Sequence, residues 1–221
     1  MKKSFSDLKD LALSKIDGNW GSLIVVTLLF YVLYFVISTL SQHVLTPVIG
    51  APSTPDNPAT YLMPISLSII TTLLIVPITY GMTIIFLDNY RTKEHSLSTY
   101  KEGFTGRIIG TMILQNIYIF LWSLLLIIPG IIKTFSYALT PYILKDNPHL
   151  SYNAAIEESM RLMDGNKARL FWLSLSFIGW AILSIFTCGL GLLALIPYYY
   201  TTVAAFYEDL KEGNIMTEET I

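Results

Sequence analysis

"MDGNKARLFW", residues 163–172, and "IDGNWGSLIV", residues 16–25, share the tripeptide Asp-Gly-Asn. Each copy follows a mixed polar and apolar stretch and leads into a long apolar one. Gly18 and Gly165 can take the left-handed conformation that ends a helix. Asn19 and Asn166 can then cap the helix that follows. The tripeptide therefore reads as a stop and a start in adjacent residues, turning a surface helix into a membrane span. Trp20 at the first copy, and Lys167 with Arg169 at the second, suit the headgroup level. Ligand binding by the carboxylates of Asp17 and Asp164 is the competing reading. The turn explains the pattern without it.

The composition supports membrane spans. Hydrophobic residues make up 53% of the chain and charged residues 14%, against about 25% charged in ordinary soluble domains. No Asp, Glu, Lys or Arg lies between Asp17 and Asp56, Asp56 and Asp88, Arg107 and Lys133, or Arg169 and Glu208. A bilayer core needs roughly 20 apolar residues in a helix, and these gaps have that length or twice it. The net charge of −2 gives no reason to expect nucleic acid. The single cysteine, Cys188, forms no internal disulfide and reads as a small packing residue near a helix end. Lys2 and Lys3 are followed by Asp7 and Asp10 rather than by an apolar run, so no signal peptide is expected.

The pattern predicts an all-α membrane protein, a single integral domain over 1–221. Six transmembrane helices, at about 20–41, 63–87, 108–128, 130–145, 168–187 and 191–207, pair as three helical hairpins. Pro47, Pro52, Pro55 and Pro58 mark the first connection, Pro129-Gly130 the turn of the second hairpin, and "TCGLG" with Gly189 and Gly191 the third. With both termini cytoplasmic, all of the 14 basic residues except Lys133 fall on the cytoplasmic side, as the positive-inside bias requires.

Amphipathic or interfacial segments precede the hairpins. Phe5, Leu8, Ala12 and Ile16 share one helical face in the first. In the last, Asn147 and Pro148 suit a helix start, and Tyr152, Ala155, Ile156, Met160 and Met163 form an apolar stripe. The spans that return to the cytoplasm repeat too. "VPITYGMTIIFLDNYR" from Val76 matches "IPYYYTTVAAFYEDLK" from Ile196, pairing Pro77 with Pro197, Asp88 with Glu208 and Arg91 with Lys211. Three repeat-like units, about 1–90, 91–147 and 148–211, follow.

Catalytic signatures are missing: there is no HExxH, GxSxG or Walker loop, and no cofactor or metal site is expected. The spans hold no carboxylate, only milder groups. Gln115 and Asn116, near mid-depth, either join helices by hydrogen bonds or line a pathway. Pro77, Pro141 and Pro197 are expected helix kinks. Lys133 either snorkels to the outer face or attracts an anionic headgroup.

The C-terminal half, "DNP", "MDGNKARLFWLSLSFIGWAIL" and "GLGLLALIPYYYTTVAAFYEDL", resembles an uncharacterised family of bacterial integral membrane proteins, domain of unknown function 975. Gly165, Asn166, Phe171, Ser176, Phe177, Gly179, Trp180, Pro197, Tyr198, Phe206 and Tyr207 carry the resemblance. More distantly the chain is similar to membrane domains of glycerophosphodiester phosphodiesterases. The resemblance implies a multi-pass protein of the bacterial cell membrane and supplies no activity. Two readings stand: a transporter or lipid- or amphipathic-peptide-handling protein, and a non-catalytic accessory, scaffold or immunity-type protein. Membrane lipid is the expected partner, with a protein partner or homo-oligomer open.

Overall fold

The computed structural model describes residues 2–41, 43, 59–94, 96 and 98–218. The expected proline-rich connection, with Pro47, Pro52, Pro55 and Pro58, lies outside them. The described elements are helices: α1 (Phe5–Ile16), α2 (Trp20–Leu40), α3 (Ala59–Thr92), α4 (Thr99–Glu102), α5 (Gly106–Leu125), α6 (Ile127–Ser136), α7 (Thr140–Asp146), α8 (Tyr152–Leu162), α9 (Lys167–Leu175), α10 (Ile178–Phe186) and α11 (Leu190–Glu218). Among the described residues, six stretches are long and apolar enough to cross a membrane: Trp20–Leu40, Thr71–Thr92, Gly106–Leu125, Ile127–Asp146, Lys167–Phe186 and Leu190–Gly213.

Burial separates these spans into two layers. The second, fourth and sixth are 61%, 50% and 44% buried over their most apolar windows, and the first, third and fifth only 17%, 17% and 22%. The former make an inner layer and the latter an outer one. Large apolar side chains of the outer layer, Phe35, Phe120 and Phe186 among them, are exposed. In water such a surface would drive association; against acyl chains it is at home.

Local chemistry explains the boundaries. Ser4 Oγ accepts from the Asp7 N–H, and Asp7 accepts from the Ser4 N–H, a reciprocal cap that starts α1. Leu8, Ala12 and Ile16 are then fully buried on one face. Gly18 (φ +86°) and Gly165 (φ +68°) occupy the left-handed region at the two Asp-Gly-Asn turns. Asn19 and Asn166 stand at N-cap positions, but neither side chain makes a capping bond. They bond across the structure instead. Asn19 Nδ2 donates to Asn89 Oδ1 at 2.8 Å, and Asn166 Oδ1 accepts from Lys2 Nζ at 2.7 Å.

Several sequence expectations are corrected. The second connection turns at Leu126, which is extended (φ −161°, ψ 146°), not at Pro129-Gly130. Pro129 fits inside the first turn of α6 because no intrahelical partner awaits its missing N–H there. A Cβ on Gly130 would overlap the Ser123 Oγ and lie 2.9 Å from the Ser123 Cα, so this glycine serves the close approach of α5 and α6. Gly191 likewise lies within α11 against Ser184, and the turn before it uses Cys188 (φ +52°) and Gly189 (φ +84°). Cys188 is exposed rather than packed. Asn147 caps the end of α7, not the start of α8, whose N-cap is Ser151. The buried stripe of α8 is Ala155, Ile156, Ser159 and Leu162, continued by Met163, whereas Tyr152 is exposed.

The fourth and fifth spans are each interrupted, at 137–139 and 176–177. Pro141 is therefore no kink in a continuous helix: it lies in the first turn of α7, just past the break. Buried Ser159 repairs that break. Its hydroxyl donates to Ser136 O at 2.9 Å and accepts from Leu139 N at 3.2 Å. The short helices brace the inner layer: α4 packs on α3, α8 on α5 and α7, and α1 on α11 and α3.

Gly130→Ala should lower stability by about 1–3 kcal/mol through overpacking. Gly179→Ala, where a Cβ meets nothing within 4 Å, should leave the thermal midpoint in detergent nearly unchanged. Equal midpoints for the two variants would refute the close-approach role.

Candidate functional site

The inner spans end in charged residues, and these meet. Arg91 of α3 reaches Asp146 of α7 with two parallel bonds, Nη1 to Oδ1 at 2.7 Å and Nη2 to Oδ2 at 2.8 Å. Its Nε donates to Glu208 of α11 at 2.6 Å. Asp146 Oδ2 also accepts from the Tyr207 hydroxyl at 2.9 Å and from Lys211 Nζ at 2.7 Å. Two cations and two carboxylates thus balance. The forked geometry is the one in which arginine and carboxylate bind best. Asp88 does not join; it lies 3.8 Å from Lys145, which also pairs with Glu102 at 2.8 Å.

Aromatic packing links this network to a pocket that is partly open to the surroundings. The ring of Tyr142, 1% exposed, stacks on that of Tyr207 with centroids 5.2 Å apart. Tyr142 borders a cavity of about 380 Å³ among α3, α5, α6, α7, α9 and α11. Its wall includes Thr79, Met112, Ala138, Ser174, Tyr199 and Tyr200, and no charged residue among the described residues. The wall hydroxyls are mostly engaged already. Thr79, Thr83 and Thr134 each donate to a carbonyl of their own helix. Ser174 does so too and shares a 3.1 Å bond with Tyr199. The buried Tyr142 hydroxyl has no hydrogen-bond partner among the described residues. The cavity lies beside both broken spans, where membrane proteins tolerate irregular backbone.

The anticipated pathway residues lie elsewhere. Asn116 is exposed, and its amide donates to Met112 O at 2.7 Å. Gln115 is half-buried, with Oε1 buried and without a hydrogen-bond partner among the described residues. Neither borders the cavity, to which α5 contributes Met112. The Lys133 ammonium lies over the rings of Trp122, at 4.8 Å, and Tyr137, at 5.7 Å, a placement that holds a cation by ring electrostatics. Pro141 borders the cavity; Pro77 and Pro197 do not. Pro77 accommodates the glycine of the α4 segment, since a Cβ on Gly103 would overlap the Pro77 backbone. Pro197 lies inside α11. Gly18, Asn19, Gly165 and Asn166 stay at their turns, away from the cavity. Residue strength alone did not reveal Tyr142, Tyr199 and Ser174. One signal was present for Tyr142, which directly follows Pro141.

Six membrane-length apolar stretches among the described residues, with lipid-like exposed surface, define a helical membrane protein. The family described as protein of unknown function (DUF975) matches residues 62–214, and the chain belongs to it. No curated protein and no solved structure matches the chain, so the similarity to glycerophosphodiester phosphodiesterase membrane domains gains no support there.

Asp146→Asn should cost about 3 kcal/mol, because Asp146 is only 12% exposed and its loss leaves Arg91 and Lys211 short of countercharge. Glu208→Gln should cost less, since the Arg91 fork to Asp146 survives. Thermal unfolding in detergent checks the order, and the reverse order would refute the central place of Asp146.

Proposed function

We propose that this protein is a non-enzymatic lipid-handling protein or transporter of the bacterial cell membrane, holding a membrane lipid between its inner spans. The cavity is the observation that carries the reading. At about 380 Å³ it has the size of a small-ligand site. Its walls are largely apolar, and the broken fourth and fifth spans border it, as discontinuous helices border transporter sites. The size also favours a lipid chain over an amphipathic peptide. A helix about 10 Å across would fit only about one turn into such a volume. Lys133 offers a separate cationic anchor for surrounding headgroups.

The orientation belongs to the same proposal. The spans pair as three hairpins, each preceded by a cytoplasmic segment, with both termini cytoplasmic. The clustering of basic residues supports this, as does the packing of α2 on α3, α5 on α6 and α10 on α11. In a Cys188→Ala background, cysteines at Ser4 and Asn153 should resist an impermeant thiol reagent in intact cells, and one at Thr54 should react. Labelling at Asn153 but not at Thr54 would invert the topology.

Native mass spectrometry of the detergent-purified protein tests the occupant. Wild type should retain lipid, and Ala138→Phe, which fills the cavity, should lose it while unfolding at a similar temperature. Lipid retained equally by both would sink the reading. A second reading, an accessory, scaffold or immunity-type protein with a protein partner or a second copy, draws on a different feature. An apolar groove of about 450 Å³ lies among Leu13, Trp20, Trp180, Leu183, Leu195 and Tyr198. A co-purifying protein released by Leu183→Glu would favour it.

A further inference from the structure

Length alone lets all three hairpins cross a bilayer, but polar neighbours fix how deep the second and third enter. In the second, the lower part of α5 is flanked by α8. A Cβ on Gly110 would overlap the Tyr152 ring, and the Tyr118 hydroxyl donates to Asn153 Oδ1 at 3.2 Å. Asn153 and Glu157 are exposed, and the Asn153 amide donates to the Glu157 carboxylate. An ionised carboxylate stays in water or among headgroups, so the hydrocarbon begins above Tyr118. Only seven residues of α5, about 10 Å, remain above that level, and α6 has ten, about 15 Å.

The third hairpin repeats the pattern. Exposed Asp7 and Asp10 hold the outer side of α1 in a polar setting. The Lys9 ammonium of that helix lies 3.5 Å from Ser176 O and 4.6 Å from the Phe177 ring centre, at the break in the fifth span. Beyond the break α10 has nine residues, about 13 Å. Leu13 of α1 and Trp20 of α2 also line one groove with Thr187 and Gly191, which flank the hairpin tip. Full crossing would set the two ends of that groove about 30 Å apart.

The tips suit hydrocarbon rather than water. Leu124 to Ile128 are each at least 67% exposed, and so are Ile185, Phe186 and Leu190. No Asp, Glu, Lys or Arg lies between Arg107 and Lys133 or between Arg169 and Glu208. On the far side of a bilayer these large apolar side chains would stand in water, which is unfavourable. The first hairpin has no such limit: α2 is unbroken over 21 residues, about 31 Å, and matches a full core.

We infer that the second and third hairpins enter one leaflet only and turn near the bilayer midplane, their apolar tips meeting the ends of acyl chains, while the first hairpin crosses. The depth follows from the contacts above; the leaflet, the cytoplasmic one, rests on the proposed orientation. Lys133 then ceases to be an exception among the basic residues. Its ammonium lies over Tyr137, whose ring is 6.4 Å from that of Tyr118, within reach of the same headgroups as Asn153.

Spin labelling of the full-length protein in phosphatidylglycerol–phosphatidylethanolamine vesicles tests the depth. The native Cys188, which is exposed in the third tip, is one probe and requires no substitution. Leu126→Cys in the Cys188→Ala background is the other. A nitroxide at either tip should collide freely with oxygen and lose its collisions with a water-soluble nickel chelate. One at Thr54, in the connection of the first hairpin, should meet the chelate. Chelate access at either tip equal to that at Thr54 overturns the inference. Labelling of Asn153 from outside cells, with both tips still shielded, would uphold the depth, move the hairpins to the other leaflet and overturn the orientation alone.

Discussion

The carboxylate of Asp146 is the point on which the inner layer is registered. It binds Arg91 from α3 and Tyr207 and Lys211 from α11, and itself ends α7. Apolar helices gain little hydrophobic preference for one another over lipid, so three of them could slide without much change in energy. A forked arginine–carboxylate pair permits no such sliding, because a shift of one residue breaks both bonds. Such pairs add little net stability and act chiefly on specificity. Here the register they set brings Tyr142 over Tyr207 and leaves the space above them open.

The two helix breaks belong to the same construction. Thr134, Phe135 and Ala138 precede the 139–140 boundary and Pro141 and Tyr142 follow it, so the cavity wall straddles an interruption in the fourth span. An uninterrupted helix would pass more of its side chains around the cylinder and away from the space. The interruption would expose backbone groups in a bilayer, where each unpaired group is costly. Ser159 removes that cost from the side, reaching in from α8. A short helix that reads as a surface element is thus coupled to the wall of the cavity. The family match, over 62–214, includes the cavity wall, the Asp146 network and Ser159.

The spans were legible because charge and apolarity differ so sharply along the chain. Five of the six follow from stretches empty of charge, the fourth, which Lys133 interrupts, from the positive-inside bias, and the Gly189 turn from a charge-free run too long for one helix. The turn at Leu126 was not legible, since proline is as welcome in the first turn of a helix as in a loop. Nor was the break at 176–177, where every residue suits either a helix or its end. The site was hidden for a different reason. Gln115 and Asn116 are the strongest hydrogen-bonding groups at their depth, but depth is not direction. A helix that meets lipid on one side and helices on the other is apolar all round, and no periodicity marks its inward face. Asn116 looks outward and bonds to its own helix, while Tyr142, which reads as one more aromatic residue, looks in.

The clasp between the chain's first and last helices bears on how the molecule is made. The buried face of α1 lies on α11, and the backbone of Lys3 is gripped from both sides: its N–H donates to Asp209, and its carbonyl accepts from Arg169. A ribosome delivers α1 before any span and α11 after every other one. Until then α1 has only part of its final packing, the part it makes on α3. The Lys3 clasp therefore closes only once α11 has been added.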